Sequence, residues 1–201
     1  MPVSRETLTL PLFPVQGVLF PGTRLAFHME ETRYRRVIQE CTEHDTPLAV
    51  VWGRPGANGV PEPAPVATVA RVMESRLEHD GPVSLTVVGV SRLSLLSYRQ
   101  GSRVLVGQGR FLPDLDEETP RLLIDEAYAL ASEYVGQSPW PTAHDVPSDP
   151  EALSYWIAQM LPWDLAARQE ILEERRLAQR LASEVGQLRH LLDEARAPRS
   201  R

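Results

Sequence analysis

Histidine and cysteine, the side chains that most often ligate metals or act as nucleophiles, are few and scattered along this chain. None of the histidines has a second ligand at the spacing of a metal site; they are His28, His44, His79, His144 and His190. Cys41 falls on the apolar side of a predicted helix, where a small buried side chain is expected rather than a catalytic thiol. The sequence therefore predicts no metal site and no cofactor.

Chemistry that needs lysine is excluded, because the chain contains 21 arginines and no lysine. Without lysine there is no Walker-type phosphate loop, no Schiff base and no Ser–Lys dyad. GVSRL at 89–93 lacks the second glycine of a nucleophile elbow. GQG at 107–109 is followed by Leu112 where a dinucleotide-binding loop needs its third glycine. The sequence therefore predicts that the chain is not an enzyme.

Aromatic and arginine side chains beside loops are the candidates for binding a partner. Trp52 and Arg54 stand at the start of a loop rich in glycine and proline, 53–65. Trp140 and Trp163 lie next to prolines in segments predicted as loop or linker. Tryptophan and arginine are enriched among the residues that dominate binding energies. We predict that these four side chains bind a partner; packing of helices onto the sheet is the alternative for Trp140 and Trp163.

Charge is distributed unevenly over a net charge of −6. Residues 1–115 carry 12 arginines and 11 acidic residues (+1), whereas residues 116–201 carry 9 arginines and 16 acidic residues (−7). A protein that binds nucleic acid normally presents a basic face, so nucleic acid is not the predicted partner. A single cysteine fits a reducing cytoplasm, and no apolar run is long enough to span a bilayer. We predict a cytoplasmic protein without a membrane segment.

Short apolar or alternating segments separated by turn residues dominate the first 115 residues. The predicted strands are 7–13, 23–29, 46–52, 66–78, 83–98 and 103–113, with a bulge or kink at Gly89. One helix over 31–45 interrupts them, because apolar residues recur there at helical spacing; they are Tyr34, Val37, Ile38 and Cys41. Strands and turns this close together favour a barrel or strongly curved sheet, covered by the helix.

Helical periodicity replaces the strand pattern from about residue 117. The predicted helices are 117–137, 148–162 with Asp149 as N-cap, and 164–193, for which one helix and two helices broken near Glu174 both remain open. A proline-rich linker over 138–150 separates the first two. The sequence predicts an α+β protein with a β-rich part over 1–115 and a helical part over 116–201.

Several segments in order resemble the N-terminal, substrate-binding domain of Lon proteases. The matching segments are LPLFPVQGVLFPG (10–22), LAFHMEETRYRRVIQEC (25–41), LAVV (48–51), VATVARV (66–72), VVGVSRL (87–93) and DPEALSYWIAQMLPWDLAARQEILEERRLAQRL (149–181). LSLLS at 93–97 replaces the R-F-x-V usual in the family. The resemblance covers about 10–192 and implies a PUA-like pseudo-barrel followed by a helical bundle. Because the chain ends where ATPase and peptidase modules would begin, it is similar to freestanding bacterial forms of the domain.

The resemblance implies a binding role for the protein. We predict a noncatalytic module that binds unfolded or flexible polypeptides, or a protease or chaperone partner, as an adaptor in protein quality control. An RNA-binding PUA-like module is the alternative, and the sequence leaves the oligomeric state open. The first matching segment, 10–22, is predicted to be scaffold: Pro11 and Pro14 end a first strand, Gly17 and Gly22 permit turns, and the large apolar side chains fill the barrel.

Overall fold

The computed structural model describes residues 6–29, 33–56, 61–77, 82–137 and 146–197. Its strands are β1 (Leu8–Val15), β2 (Arg24–Met29), β3 (Leu48–Arg54), β4 (Glu62–Pro63), β5 (Val66–Leu77), β6 (Val83–Gln100) and β7 (Leu105–Phe111). Its helices are α1 (Arg33–Glu43), α2 (Arg121–Gly136), α3 (Pro150–Met160), α4 (Leu165–Glu173) and α5 (Leu177–Arg196). A strand-rich part is followed by helices, which confirms the α+β prediction.

Five of the strands close into a ring. They are hydrogen-bonded in the order β1–β7–β6–β5–β3, and a parallel pairing between β1 and β3 completes the circle. β2 pairs with the first part of β6, and the short β4 pairs with β3. Closing the sheet satisfies the backbone groups that an open edge would leave exposed. The predicted pseudo-barrel is therefore present.

Two apolar clusters hold this sheet together. One joins four strands of the ring, β1, β3, β5 and β6, and Leu105 of β7 packs against it; its buried members are Leu10, Leu12, Ala49, Val51, Ala64, Ala67, Val69 and Leu93. The other packs the apolar side of α1 against the sheet, with the rings of Phe13 and Tyr34 4.9 Å apart. Cys41 belongs to this second cluster, and burial raises the pKa of its thiol above the ordinary value.

The segment 10–22 is built into the sheet, but not in the way expected for its prolines. β1 runs through Pro11 and Pro14 instead of ending at them. It pairs with β7 over residues 8–11 and with β3 over 12–15, so one side of the strand is unpaired over each half. A proline whose nitrogen faces the unpaired side removes no ladder bond. Gly22 has a φ of +76°, which permits the predicted turn.

Contacts divide the chain into two units. Unit 1 comprises Met1–Pro113 with Leu165–Glu173, and unit 2 comprises Asp114–Asp164 with Glu174–Arg201. α4 belongs to unit 1, where the Gln169 side chain donates to the carbonyl of Val66 (3.0 Å) and the Arg92 guanidinium donates to that of Leu172 (3.1 Å). The sequence alone placed α4 with the helical part, and the division into 1–115 and 116–201 remains a prediction.

Unit 2 is a bundle of α2, α3 and α5 around its own apolar cluster. α3 begins as predicted, because the Asp149 carboxylate accepts the Ala152 amide at 2.8 Å. The segment left open in the sequence forms two helices, with α4 ending at Glu173 and α5 starting at Leu177. The linker prediction falls largely on 138–145, which lie outside the described residues. None of the described helices is both long and apolar enough to cross a membrane.

Candidate functional site

Two clefts of unit 1 meet at the side chains of Pro63 and Tyr98. The first has a volume of about 450 Å³ and is lined by Pro14, Met29, Arg33, Tyr34, Pro61, Glu62, Pro63, Tyr98, Gln100 and Leu105. The second has a volume of about 400 Å³ and is lined by Arg54, Pro63, Ala64, Pro65, Leu95, Leu96, Ser97 and Tyr98. Because they share two lining residues, the clefts are neighbours, and together they are called here the Tyr98 groove.

The groove opens where a strand ladder stops. β5 and β6 pair from Leu77 opposite Val83 up to Val66 opposite Ser94, and one further bond joins the Leu95 amide to the Pro65 carbonyl (2.8 Å). Beyond it, prolines recur at alternate positions, 61, 63 and 65, and a proline has no N–H to continue a ladder. Ala64, which lies between two of them, donates its amide to Trp52 on β3 instead (2.9 Å). The segment 61–65 therefore leaves β6, and the gap becomes the groove.

One edge of β6 is consequently unpaired inside the groove. Residues 97–100 pair with β7 on one side, and no strand of the described chain pairs with them on the other. The register shifts between Leu95 and Ser97, which leaves Leu96 as an extra residue. A bulge of this kind turns side chains outward. Leu96 and Tyr98 are accordingly 56% and 48% exposed, although both are large and apolar.

The predicted binding residues are not brought together. Arg54 lines the second cleft, whereas Trp52 packs against the barrel cluster and Trp163 packs against the cluster of unit 2. Trp140 lies outside the described residues. Tyr98 and Leu96 were missed as candidates, whereas the three prolines belong to the loop 53–65 beside Trp52 and Arg54. The alternating prolines were the available signal, since they mark a segment that cannot extend a sheet.

A second group of polar side chains converges inside unit 2. The fully buried Arg180 guanidinium donates to both carboxylate oxygens of Asp114 (2.8 and 2.7 Å), to the Glu174 carbonyl (2.9 Å) and to Ser154 Oγ (3.1 Å). Its carbon lies 4.7 Å from the centre of the Tyr155 ring. Ser154 in turn donates to Glu184 at 2.9 Å. These groups bond to one another in the interior, although Glu184 Oε2 has no hydrogen-bond partner, and we interpret the network as structural. Within the described ranges, no cluster of His, Cys, Asp or Glu could hold a metal ion.

Glu184 should make the stability of unit 2 depend on pH. Burial raises the pKa of its carboxyl from 4.5 to about 8, and the Ser154 hydrogen bond and the Arg180 charge only partly oppose this. Folded protein then holds a proton that unfolded protein has lost, so the free energy of unfolding falls as pH rises from about 4.5 to about 8, by at most about 1.4 kcal/mol per pH unit.

Replacing Glu184 with glutamine isolates this effect, because an amide keeps the shape but does not titrate. We expect Glu184→Gln to gain stability relative to the natural protein as pH rises. Urea unfolding at several pH values from about 5 to about 9, the window in which the two proton affinities differ, measures this. Curves that stay parallel over the whole range would show that Glu184 is ionised in the folded protein.

The protein is defined by a closed strand ring followed by a helical bundle. Two solved structures share this architecture. The Lon N-terminal domain protein from Xanthomonas campestris is 24% identical, with a TM-score of 0.68, and the match covers 89% of this chain and 98% of that one. The N-terminal domain of the Mycobacterium avium complex Lon protease is 15% identical, with a TM-score of 0.66, and the match covers 90% and 98%.

The family model of the ATP-dependent protease La (LON) substrate-binding domain matches residues 9–190, so the chain belongs to this family. This confirms the resemblance predicted over about 10–192. Curated relatives include the Lon protease of Escherichia coli strain K12, 22% identical over 90% of this chain, and Lon protease 1 of Thermus thermophilus, 27% identical over 87%. The alignments cover 24% of each relative, so the chain spans about a quarter of their length.

Proposed function

We propose that this protein binds extended or unfolded segments of other polypeptides in the Tyr98 groove. The observation that carries the proposal is the exposed pair Leu96 and Tyr98 beside the unpaired edge of β6. Apolar walls accept side chains, and an unpaired strand edge accepts backbone hydrogen bonds, which together are the requirements for capturing an extended chain. Membership of a substrate-binding family supports the same role.

We further propose that binding is noncatalytic and that the protein acts as an adaptor, in the cytoplasm, passing polypeptides to a protease or chaperone. The family match to a substrate-binding domain supports this, as does a sequence without lysine. RNA binding, the alternative from the sequence, is less well supported by the groove, because most of its lining residues are apolar and one of them, Glu62, is acidic.

Fluorescein-labelled casein, an unfolded polypeptide, tests the proposal by fluorescence anisotropy. We expect Tyr98→Ala to weaken binding by about tenfold to thirtyfold, because an aromatic side chain in a groove typically contributes 2 kcal/mol or so. Leu96→Ser should weaken it less, through loss of apolar contact.

Matched controls come from α2, where Leu122 and Tyr128 are also exposed. Leu122→Ser and Tyr128→Ala should bind casein as the natural protein does. Circular dichroism checks that all four variants are folded. If the two groove variants and the two helix variants bind equally well, the groove is not the binding site.

A further inference from the structure

The side-chain charge of Arg54 is not neutralised within the described residues. No carboxylate lies within ion-pair distance of its guanidinium, and its Nε is buried without a hydrogen-bond acceptor. A buried N–H donor without a partner costs free energy that a suitable acceptor would recover. Arg33, which lines the first cleft, differs from Arg54 because its guanidinium contacts an aromatic ring: its carbon lies 5.5 Å from the centre of the Tyr34 ring.

The mainly apolar residues around Arg54 favour the pairing of its charge with an acidic group. The other residues that line the second cleft are apolar or, in the case of Ser97, neutral. Hydrogen bonds between charged groups are stronger where water is partly excluded. Glu62, which lies opposite Arg54 in the β3–β4 register, lines the first cleft and forms no ion pair with it. The second cleft therefore combines apolar walls with one available cation.

We propose that Arg54 selects polypeptide segments in which an acidic side chain follows or precedes apolar residues. This rests on the proposed function, since it describes which segments the Tyr98 groove takes. The guanidinium pairs with the carboxylate while Leu95, Leu96 and Tyr98 contact the neighbouring apolar side chains. An acidic side chain within the segment, rather than a chain end, is the expected group, because β6 lines both clefts and offers its unpaired edge over residues 97–100.

Two labelled peptides that differ in one residue test this selectivity. Both alternate leucine and serine and are amidated at the C-terminus; one carries a central glutamate and the other a central glutamine. We expect the natural protein to bind the glutamate peptide about tenfold more tightly, as a charge-assisted hydrogen bond allows. Arg54→Gln should bind both peptides equally, with the affinity that the natural protein has for the glutamine peptide. Arg24→Gln, which removes an exposed arginine on β2, is the matched control and should keep the tenfold preference.

The outcomes separate the two proposals. If both peptides bind the natural protein equally, Arg54 does not select acidic residues, while polypeptide binding stands. If Arg54→Gln still prefers the glutamate peptide, another group binds the carboxylate and the inference fails. If neither peptide binds, the proposed function and the inference fall together. A glutamine peptide that gains affinity when its C-terminal carboxylate is freed would assign Arg54 to chain ends and overturn the internal acidic side chain.

Discussion

Replacing Gly89 with alanine is expected to lower the free energy of unfolding of unit 1 by about 3 kcal/mol or more, a large loss for one added methyl group. A Cβ at this position would lie 2.2 Å from the Phe20 carbonyl oxygen and 3.1 Å from Thr68 Cγ2. The backbone has little freedom to retreat, because the Gly89 amide donates to the Thr23 carbonyl (3.0 Å) and the Gly89 carbonyl accepts the Gly22 amide (2.9 Å). Alanine must therefore break these hydrogen bonds or displace the segment 10–22.

Gly17→Ala is the matched control, since it adds the same methyl group in the neighbouring segment. Its Cβ would meet only the Leu25 and Val15 side chains, at 3.7 Å or more, which is ordinary contact. We expect a change within about 0.5 kcal/mol, the usual range for substitutions away from strained or buried features. Urea unfolding followed by tryptophan fluorescence measures both. Equal stabilities for the two variants would show that the segment 20–23 moves easily to make room for a methyl group at position 89.

The architecture of unit 1 could be predicted because its signals are local. The helical spacing of Tyr34, Val37, Ile38 and Cys41 gave α1 and its buried side directly, and that side is buried as expected. The turn at Gly22 and the irregularity at Gly89 followed from glycine's conformational freedom and small size. No single segment determines the strand pairing across the ring, so the prediction of a barrel rested on the close spacing of strands and turns and on the family resemblance.

The groove could not be predicted, because it depends on which strands become neighbours. Prolines at 61, 63 and 65 indicate a segment that cannot extend a sheet, but the consequence appears only when that segment lies beside β6. Likewise, Leu96 and Tyr98 read as ordinary strand residues until the bulge in β6 turns them outward. Tryptophan did not indicate the position of the groove, because Trp52 and Trp163 pack against apolar clusters, as large hydrophobic side chains commonly do.

Arg180 shows how a long-range partner reverses the expectation from a local pattern. In α5 it stands next to the buried Leu181, and an arginine in a helix would ordinarily be solvent-exposed. Instead it is completely buried. Two of the partners that permit this are distant in sequence, since Asp114 precedes α2 and Ser154 lies in α3; the third, the Glu174 carbonyl, lies just before α5. A buried guanidinium is tolerated only when all its donors find acceptors.

Arg180→Met should therefore destabilise unit 2 by about 3–5 kcal/mol, as removal of one partner of a buried ion pair usually does. Methionine fills much of the volume but leaves the Asp114 carboxylate and the Glu174 carbonyl without their donors.

Arg189→Met is the matched control on the same helix, because Arg189 pairs with Glu126 at the surface and such pairs contribute less than about 1 kcal/mol. Adding Asp114→Asn to Arg180→Met should recover part of the lost stability, since it removes the carboxylate charge that no longer has a partner. Urea unfolding of the three variants at one pH measures these differences. If Arg180→Met and Arg189→Met unfold at the same urea concentration, the buried network adds no net stability and unit 2 is held by its apolar cluster alone.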